Sequence, residues 1–268
     1  MSYVRALENK DNRARGAAVI AALASLGISP LLQRRRWPRL TNIIAEFGKE
    51  PGPHPIFSAH YDSVNRSPGA NDNASGVAAL LGLCRELRDR QAPARVVFFD
   101  REEAWLRTPW LRLGLLGSLH YVWRSELKDV TAVYNVDMCG LGDFLGIWPV
   151  KRGEEALMPA AAAARRAADR VGLVSGLAHV PWYVLSSDHL PFRLRGMTNA
   201  VSLSLLPRES VPRMQALIAR PGVRLMLSGS HRSLPEPFSL AHGTQDISSK
   251  MSEESLRSMV ALLLELAR

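Results

Sequence analysis

His60 stands in Ala59-His60-Tyr61-Asp62-Ser63, two residues before a carboxylate. An acid that close can hold one ring nitrogen while the other binds a metal, which fixes the tautomer and raises ligand basicity. A histidine at a strand end also serves plain structure. Asp72, in Pro68-Gly69-Ala70-Asn71-Asp72-Asn73-Ala74-Ser75-Gly76, precedes a helical run. It is either the cap of that helix or a carboxylate that a loop carries between two cations. Glu102 and Glu103 follow the apolar run Val96-Val97-Phe98-Phe99. They are either a solvated strand exit or a pair that divides labour, one binding metal and one taking protons from the metal's water. Asp137 ends another apolar run, where a carboxylate is costly unless paired or coordinated. His242 lies in the loop Ala241-His242-Gly243-Thr244-Gln245-Asp246 before the last helix. Two histidines, three carboxylates and a spare Glu suit two divalent cations, zinc foremost. With no Cys among the ligands and an acid to spare, such a site is catalytic rather than structural.

Groups so far apart in sequence need a scaffold that collects them. Thr41–Ala45, Ile56–His60, Arg95–Asp100, Thr131–Asp137 and Asn199–Leu205 read as strands from their β-branched and aromatic content. Residues 10–27, Ala74–Arg90, Leu116–Ser125, Glu154–Val171 and Ser252–Leu266 read as helices from apolar spacing, the first ending at Gly27. Ser252, Glu253 and Glu254 give the last helix a capped, acidic start. Strands alternating with helices predict one three-layer α/β/α domain over residues 1–268, with a central twisted, mostly parallel mixed sheet. In such sheets functional groups gather beyond the carboxyl ends of the strands. His60, Asp100 with Glu102 and Glu103, and Asp137 all follow strands, so they fall at one edge.

Composition narrows the classes. The 268 residues are 47% hydrophobic and 22% charged, which excludes a disordered, collagen-like or coiled-coil chain. No apolar run approaches the roughly 18 residues of a membrane span, and no secretory leader is read at Met1–Lys10, so a cytoplasmic location is expected. The net charge of +9 comes largely from arginine. Its one dense run is Arg34-Arg35-Arg36 with Arg39, and no aromatic RNA-binding pattern accompanies it, so only weak, non-specific nucleic-acid binding is expected. Cys84 and Cys139 form no CxxC pair and imply neither disulfide nor thiolate metal site. No spacing specifies an oligomeric state.

The motifs AHYDSV (59–64), PGANDNASGVAALL (68–81), VVFFDREEA (96–104), GLLGSLHYV (114–122), YNVDMCG (134–140), SSDHLPFRLRG (186–196) and HGTQD (242–246) occur in this order along nearly the whole chain. In that order they resemble the zinc aminopeptidases, the family of bacterial leucine-type aminopeptidases and glutamate carboxypeptidases, whose fold glutaminyl cyclases share. The resemblance implies a zinc-exopeptidase-like fold and hydrolysis of a peptide bond next to a free amino terminus, on peptide or aminoacyl substrates. It implies two zinc ions per chain: His60 and Asp137 on one, Glu103 and His242 on the other, and Asp72 bridging. Glu102 is then the general base for a metal-bridging water, and Asp62 orients His60. Asp188 matches the cyclase residue of the proton-shuttling network, but Ser187-Asp188 also reads as a cap for a helix starting at His189 or Leu190.

Some features depart from the family. The segment AWLRTPWLRLGLL between Glu103 and Gly117 is longer than in the shortest relatives. Ala241 precedes His242 where many relatives place an oxyanion-stabilising Tyr, and Met197-Thr198-Asn199 replaces the usual Ile-Pro. The long segment and FFDREEAW favour a second reading, a glutaminyl-cyclase-like acyltransferase with one zinc; NDNASGVAALL favours the peptidase. Trp105, Trp110, Trp148 and Trp182 are candidates for an apolar substrate pocket, though each reads more readily as core or loop packing, whereas His54, His120, His179 and His231 carry no motif.

Overall fold

A computed structural model describes residues 1–48, 52–90, 93–103, 106–107, 112–150, 153, 158–179, 186–219 and 234–268. Its strands are β1 (Leu31–Arg35), β2 (Leu40–Phe47), β3 (His54–His60), β4 (Ala94–Phe99), a short hairpin of β5 (Leu106–Arg107) and β6 (Arg112–Leu113), β7 (Val130–Val136), β8 (Phe144–Trp148), β9 (Val174–Leu177) and β10 (Ala200–Leu206). The main sheet has the order β1-β2-β4-β3-β7-β10-β8-β9. Its middle four strands, β4, β3, β7 and β10, are mutually parallel, while β1–β2, β2–β4 and β10–β8 pair antiparallel and β8–β9 parallel. The expected mixed sheet with a parallel centre is the one observed.

The central strands are apolar on both faces because both faces are covered. Alternate residues of β4 point opposite ways. Val96 and Phe98 join the large cluster with Phe57, Leu80 and Leu262, whereas Val97 and Phe99 pack with Tyr121, Val122 and Phe192. The first face is covered by α1 (Ser2–Leu7), α2 (Asn12–Ser25), α3 (Gly76–Leu87), α5 (Pro159–Arg170) and α8 (Glu253–Leu266). The second is covered by α4 (Leu116–Arg124) and α6 (His189–Leu194), and α7 (Val211–Ala219) follows β10. No described helix is long and apolar enough to cross a membrane. Cys84 and Cys139 are buried and free.

Most expected elements form with ends moved by a few residues. The helix expected over 10–27 spans 12–25, with Asp11 Oδ1 accepting from the Ala14 amide at 2.7 Å, and Gly27 follows with φ 73°. Ser252 caps α8 by accepting from the Ser255 amide at 3.3 Å. Of the helix expected over Glu154–Val171, the described part begins at Pro159; residues 154–157 lie outside the described residues. Strands β1, β8 and β9 and helices α1 and α7 were not expected. Trp105, Trp110, Trp182 and His231 lie outside the described residues.

Candidate metal centre

Three parallel strands deliver the site from one edge. His60 is the last residue of β3, Asp137 directly follows β7, and Glu102 and Glu103 come three and four residues after Phe99 ends β4. Asp72 enters from the irregular turn Ala70–Ser75 ahead of α3, and His242 from the loop ahead of α8. Asp72 does not cap α3. Ser75 occupies that position, and Asn73 Oδ1 accepts from the Gly76 amide at 3.0 Å.

Instead, the two Asp72 oxygens face two histidines. Oδ1 lies 3.3 Å from His60 Nε2, and Oδ2 lies 3.2 Å from His242 Nε2. Asp137 Oδ1 is 3.9 Å from the same His60 nitrogen, and Glu103 Oε1 is 2.9 Å from His242 Nε2. The described residues thus form two donor groups, His60–Asp72–Asp137 and Asp72–Glu103–His242, each with ligand atoms within 4.8 Å of one another. Zinc–nitrogen and zinc–oxygen bonds of about 2.0–2.2 Å at tetrahedral angles separate neighbouring ligand atoms by roughly 3.3 Å. The observed separations bracket that value. Asp137 Oδ1, buried, has no hydrogen-bond partner among the described residues, as a carboxylate oxygen meant for a cation would. Nitrogen and oxygen donors without thiolate also suit zinc, so the residues fit the ion.

Main-chain amides hold these donor groups in place. Asp62 accepts from the Glu102 and Glu103 amides at 3.0 and 3.1 Å, and its Oδ1 lies 3.4 Å from His60 Nδ1. One carboxylate therefore ties the exits of β3 and β4 together. Asp246 does the same for the Asp72 turn, accepting from the Asn71 and Asp72 amides at 2.6 and 3.1 Å. Asn71 Oδ1, Asn73 Oδ1 and Ser75 Oγ accept from the amides of Gly140, Met138 and Cys139, fastening that turn to the exit of β7. Gly117 lets α4 approach the β4 exit, where a Cβ would strike the Asp100 carbonyl, and the Leu115 amide donates to the Glu102 carbonyl at 2.9 Å.

The guanidinium of Arg15 lies under the site, with the residue 0% exposed. It donates to the carbonyls of Tyr61, Pro68 and Gly69 at 3.1, 2.9 and 2.7 Å, and more loosely to that of Asp62 at 3.5 Å. Neither Arg15 nor Asp246 is marked as functional by its sequence context. HGTQD contains Asp246, but an acid before a helix reads as a solvated loop residue; Arg15 sits in an Arg/Ala-rich helix where the same residue type faces water elsewhere.

The charges create a strongly negative centre. Burial favours a neutral His60 ring, but Glu102, Asp62 and Asp72 outweigh it and raise its pKa well above the ordinary value. His242 is pushed up to about 10, where Asp72 and Glu103 overcome the effect of burial. Burial would raise the Asp72 carboxyl, but both histidines hold it below the usual carboxylate range. Burial, with the charges of Asp72 and Glu103, pushes Asp137 up to about 6 against the pull of His60. Burial and the neighbouring acids Glu103, Asp188 and Asp137 raise Glu102 well above a normal carboxyl despite His60. A potential that protonates two imidazoles this readily also attracts cations.

Asp188 is 0% exposed, and neither carboxyl oxygen has a hydrogen-bond partner among the described residues. Burial pushes it to about 7, and the charges of Asp62 and Asp137 act in the same direction. It occupies the position before α6 but its side chain does not cap that helix. His189 beside it is buried, its Nδ1 2.8 Å from Ser202 Oγ, with the Trp148 ring edge-on at 5.3 Å. Trp148 Nε1 donates to Ser204 Oγ at 3.0 Å, and Ser204 Oγ donates to the Asp137 carbonyl at 2.5 Å. Trp148 also lines an apolar cavity of about 540 Å³ with Leu206, Met214, Ile218 and Phe238. Leu206 and Phe238 pack with Met138 and Ala241, the residues flanking Asp137 and His242. Asp100, at the same sheet edge, turns toward β2, where its Oδ2 accepts from the Thr41 amide at 2.9 Å.

An α/β/α sheet whose carboxyl edge gathers His and carboxylate donors around a shared Asp defines a protein of the metallohydrolase class. The chain belongs to peptidase family M28, whose family model matches residues 42–267. Aminopeptidase YwaD of Bacillus subtilis is 33% identical over 162 residues, covering 53% of this chain and 30% of that protein. An aminopeptidase of Pseudomonas aeruginosa is 37% identical over 107 residues, covering 38% of this chain and 19% of its own length. The crystal structure of a zinc aminopeptidase from Bacillus subtilis superposes with a TM-score of 0.61 at 27% identity, covering 84% of this chain and 48% of that one. The chain thus spans less than a third of the curated aminopeptidases it matches and about half of that structure. A Porphyromonas gingivalis glutaminyl cyclase shares the fold, with a TM-score of 0.72 at 18% identity over 99% of this chain and 95% of the other.

Proposed function

We propose that this chain forms one catalytic domain of a zinc aminopeptidase that removes amino-terminal residues from peptides. The observation that carries the reading is Asp72, which turns one oxygen toward His60 and the other toward His242. A carboxylate so shared suits a pair of zinc ions, one on His60 and Asp137 and the other on Glu103 and His242. When bound, such a pair polarises the scissile carbonyl and acidifies a water.

The chain's own groups do the rest. Glu102 takes the proton of the attacking water and delivers it to the leaving amine; its burial suits the neutral intermediate form, because a carboxyl that holds a proton readily can also pass it on. Asp62 fixes the tautomer of His60 and holds the main chain of both Glu102 and Glu103. Asp188, buried near Glu102, relays protons to it. The cavity beside Met138 and Phe238 receives the apolar side chain of the amino-terminal residue. Among known proteins, the cyclase alternative has support in likeness of fold alone.

Replacing Glu102 with Gln keeps shape and zinc content but removes the base. Hydrolysis of leucine p-nitroanilide should then fall by roughly 10²–10⁴, with zinc content measured on the same preparation. Near wild-type turnover by a zinc-loaded Glu102→Gln protein would refute the assignment.

A further inference from the structure

Some arginines of this protein have carboxylate partners: Arg95 with Glu46, Arg170 with Glu265 and Arg208 with Asp143, at 2.7–2.8 Å. The turn joining β1 to β2 gathers several that do not. Arg34, Arg35, Arg36 and Arg39 are all exposed, with Trp37 80% exposed among them. Neither these four nor Arg101 forms an ion pair among the described residues. Arg101 Nε instead donates to the Arg39 carbonyl at 2.7 Å, and Arg35 Nε to the Trp37 carbonyl at 2.9 Å, so the turn is braced by its own main chain. Asp100, before Arg101, is buried and engaged with Thr41.

The sheet register places this cluster beside the metal centre. β2 runs antiparallel to β4 with Ile43 opposite Phe98. Continuing that register brings Leu40 level with Arg101, the residue before Glu102. With neighbouring strands about 4.8 Å apart, the turn between β1 and β2 lies roughly 7–12 Å from the exits of β4 and β3. An extended peptide advances about 3.3 Å per residue, so the roughly 12 Å to the β3 exit at His60 equals some three or four residues. Charges on an edge strand also discourage edge-to-edge pairing, a second purpose that Arg34 and Arg35 serve in β1. Arg36, Arg39 and Arg101 lie beyond the paired residues and are left without that purpose. A single-stranded nucleic-acid site would present aromatic rings in series, whereas one Trp stands here on the rim of a peptide site.

We propose that the Arg34–Arg39 turn, together with Arg101, captures acidic peptide substrates by an Asp or Glu about three or four residues beyond the cleaved bond. The bond cleaved rests on the aminopeptidase reading; the capture of the acidic segment does not.

The test compares Leu-Ala-Gly-Asp-Glu-Gly with Leu-Ala-Gly-Asn-Gln-Gly. At about 20 mM salt kcat/KM for the acidic peptide should be roughly tenfold the higher, through KM, and at about 0.5 M salt the ratio should fall below about twofold as screening shortens the reach of the charges. The combined variant Arg34→Gln, Arg36→Gln, Arg39→Gln should bring the low-salt ratio near one. Anisotropy of the acidic peptide, labelled at its carboxyl end, on zinc-loaded Glu102→Gln protein with and without the three substitutions reads capture without turnover. Failure to cleave leucine p-nitroanilide, with the anisotropy difference intact, sinks the aminopeptidase reading and leaves the capture standing. Cleavage with a ratio near one in the wild type, or a ratio untouched by the substitutions, overturns the proposal. So does Arg-dependent binding found only with a single-stranded oligonucleotide or with phosphatidylserine vesicles.

Discussion

Replacing Arg15 with Met removes the charged clamp beneath the metal centre while keeping an unbranched side chain of similar reach. In the native protein its guanidinium joins the segment after His60, through the Tyr61 carbonyl, to the segment before Asp72, through the carbonyls of Pro68 and Gly69. Asp62, Asp72, Asp246 and Glu103 all lie close enough to favour its charge, opposing the burial that disfavours it. Each hydrogen bond from a charged donor is worth about 1.5–3 kcal/mol, but the carbonyls share one donor group and the losses do not add. Removing one member of a buried charged network costs about 3–5 kcal/mol, out of a total stability of about 5–15 kcal/mol. Urea unfolding followed by circular dichroism should register a loss in that range. Zinc affinity, measured by chelator competition, should fall about 10–100-fold, the usual effect of loosening groups that orient ligands. Arg15→Lys should recover less than half of either, because an ammonium is a point charge and cannot span both segments as a planar fork does. A stability loss under about 1 kcal/mol with unchanged zinc affinity would show that the clamp does not hold the ligands.

Three further outcomes are expected. Asp246→Asn turns an amide toward the Asn71 and Asp72 amides, leaving at least one buried N–H without an acceptor; zinc affinity should drop about 10–100-fold in chelator competition, with a stability loss of about 1–3 kcal/mol in urea. His189 is buried and held neutral, its pKa well below the ordinary value through desolvation and the nearby Arg193 charge. The unfolded chain takes up that proton below about pH 6.5 and the folded one does not, so acidification from pH 7 to 5 lowers stability; His189→Gln should flatten the slope of urea stability against pH in that interval, and an unchanged slope would contradict the assignment. Met214→Trp narrows the apolar cavity and should lower kcat/KM for leucine p-nitroanilide by about 10-fold or more relative to the alanine anilide, whereas an unchanged ratio would place the specificity pocket elsewhere.

The candidate donor set was legible because chemistry and topology coincide in it. His60 and Asp137 follow runs too apolar to be anything but central strands, and parallel central strands can only present their ends on one side. Asp72 was ambiguous, since a carboxylate before a helix satisfies the capping pattern equally well; only its two histidine neighbours decide the matter. Asp188 shows the same ambiguity, resolved by a side chain that leaves the helix amides alone. Strands β8 and β9 escaped notice because Gly146 and Gly176 interrupt short runs, and β1 because its exposed arginines and glutamine read as a loop. Arg15 and Asp246 act through main-chain partners 46 to 175 positions away, a kind of contact that leaves no local periodicity.

Asp246 and Arg15 meet their partners through peptide N–H and C=O groups rather than through side chains, and Asp62 grips Glu102 and Glu103 in the same way. Almost every amino acid supplies those same groups, so the residues being gripped are free to drift while the grip persists. Only proline at a donor position would break it outright. A scaffold wired in this way lets a lineage rewrite its rim without retuning the spacing at its centre.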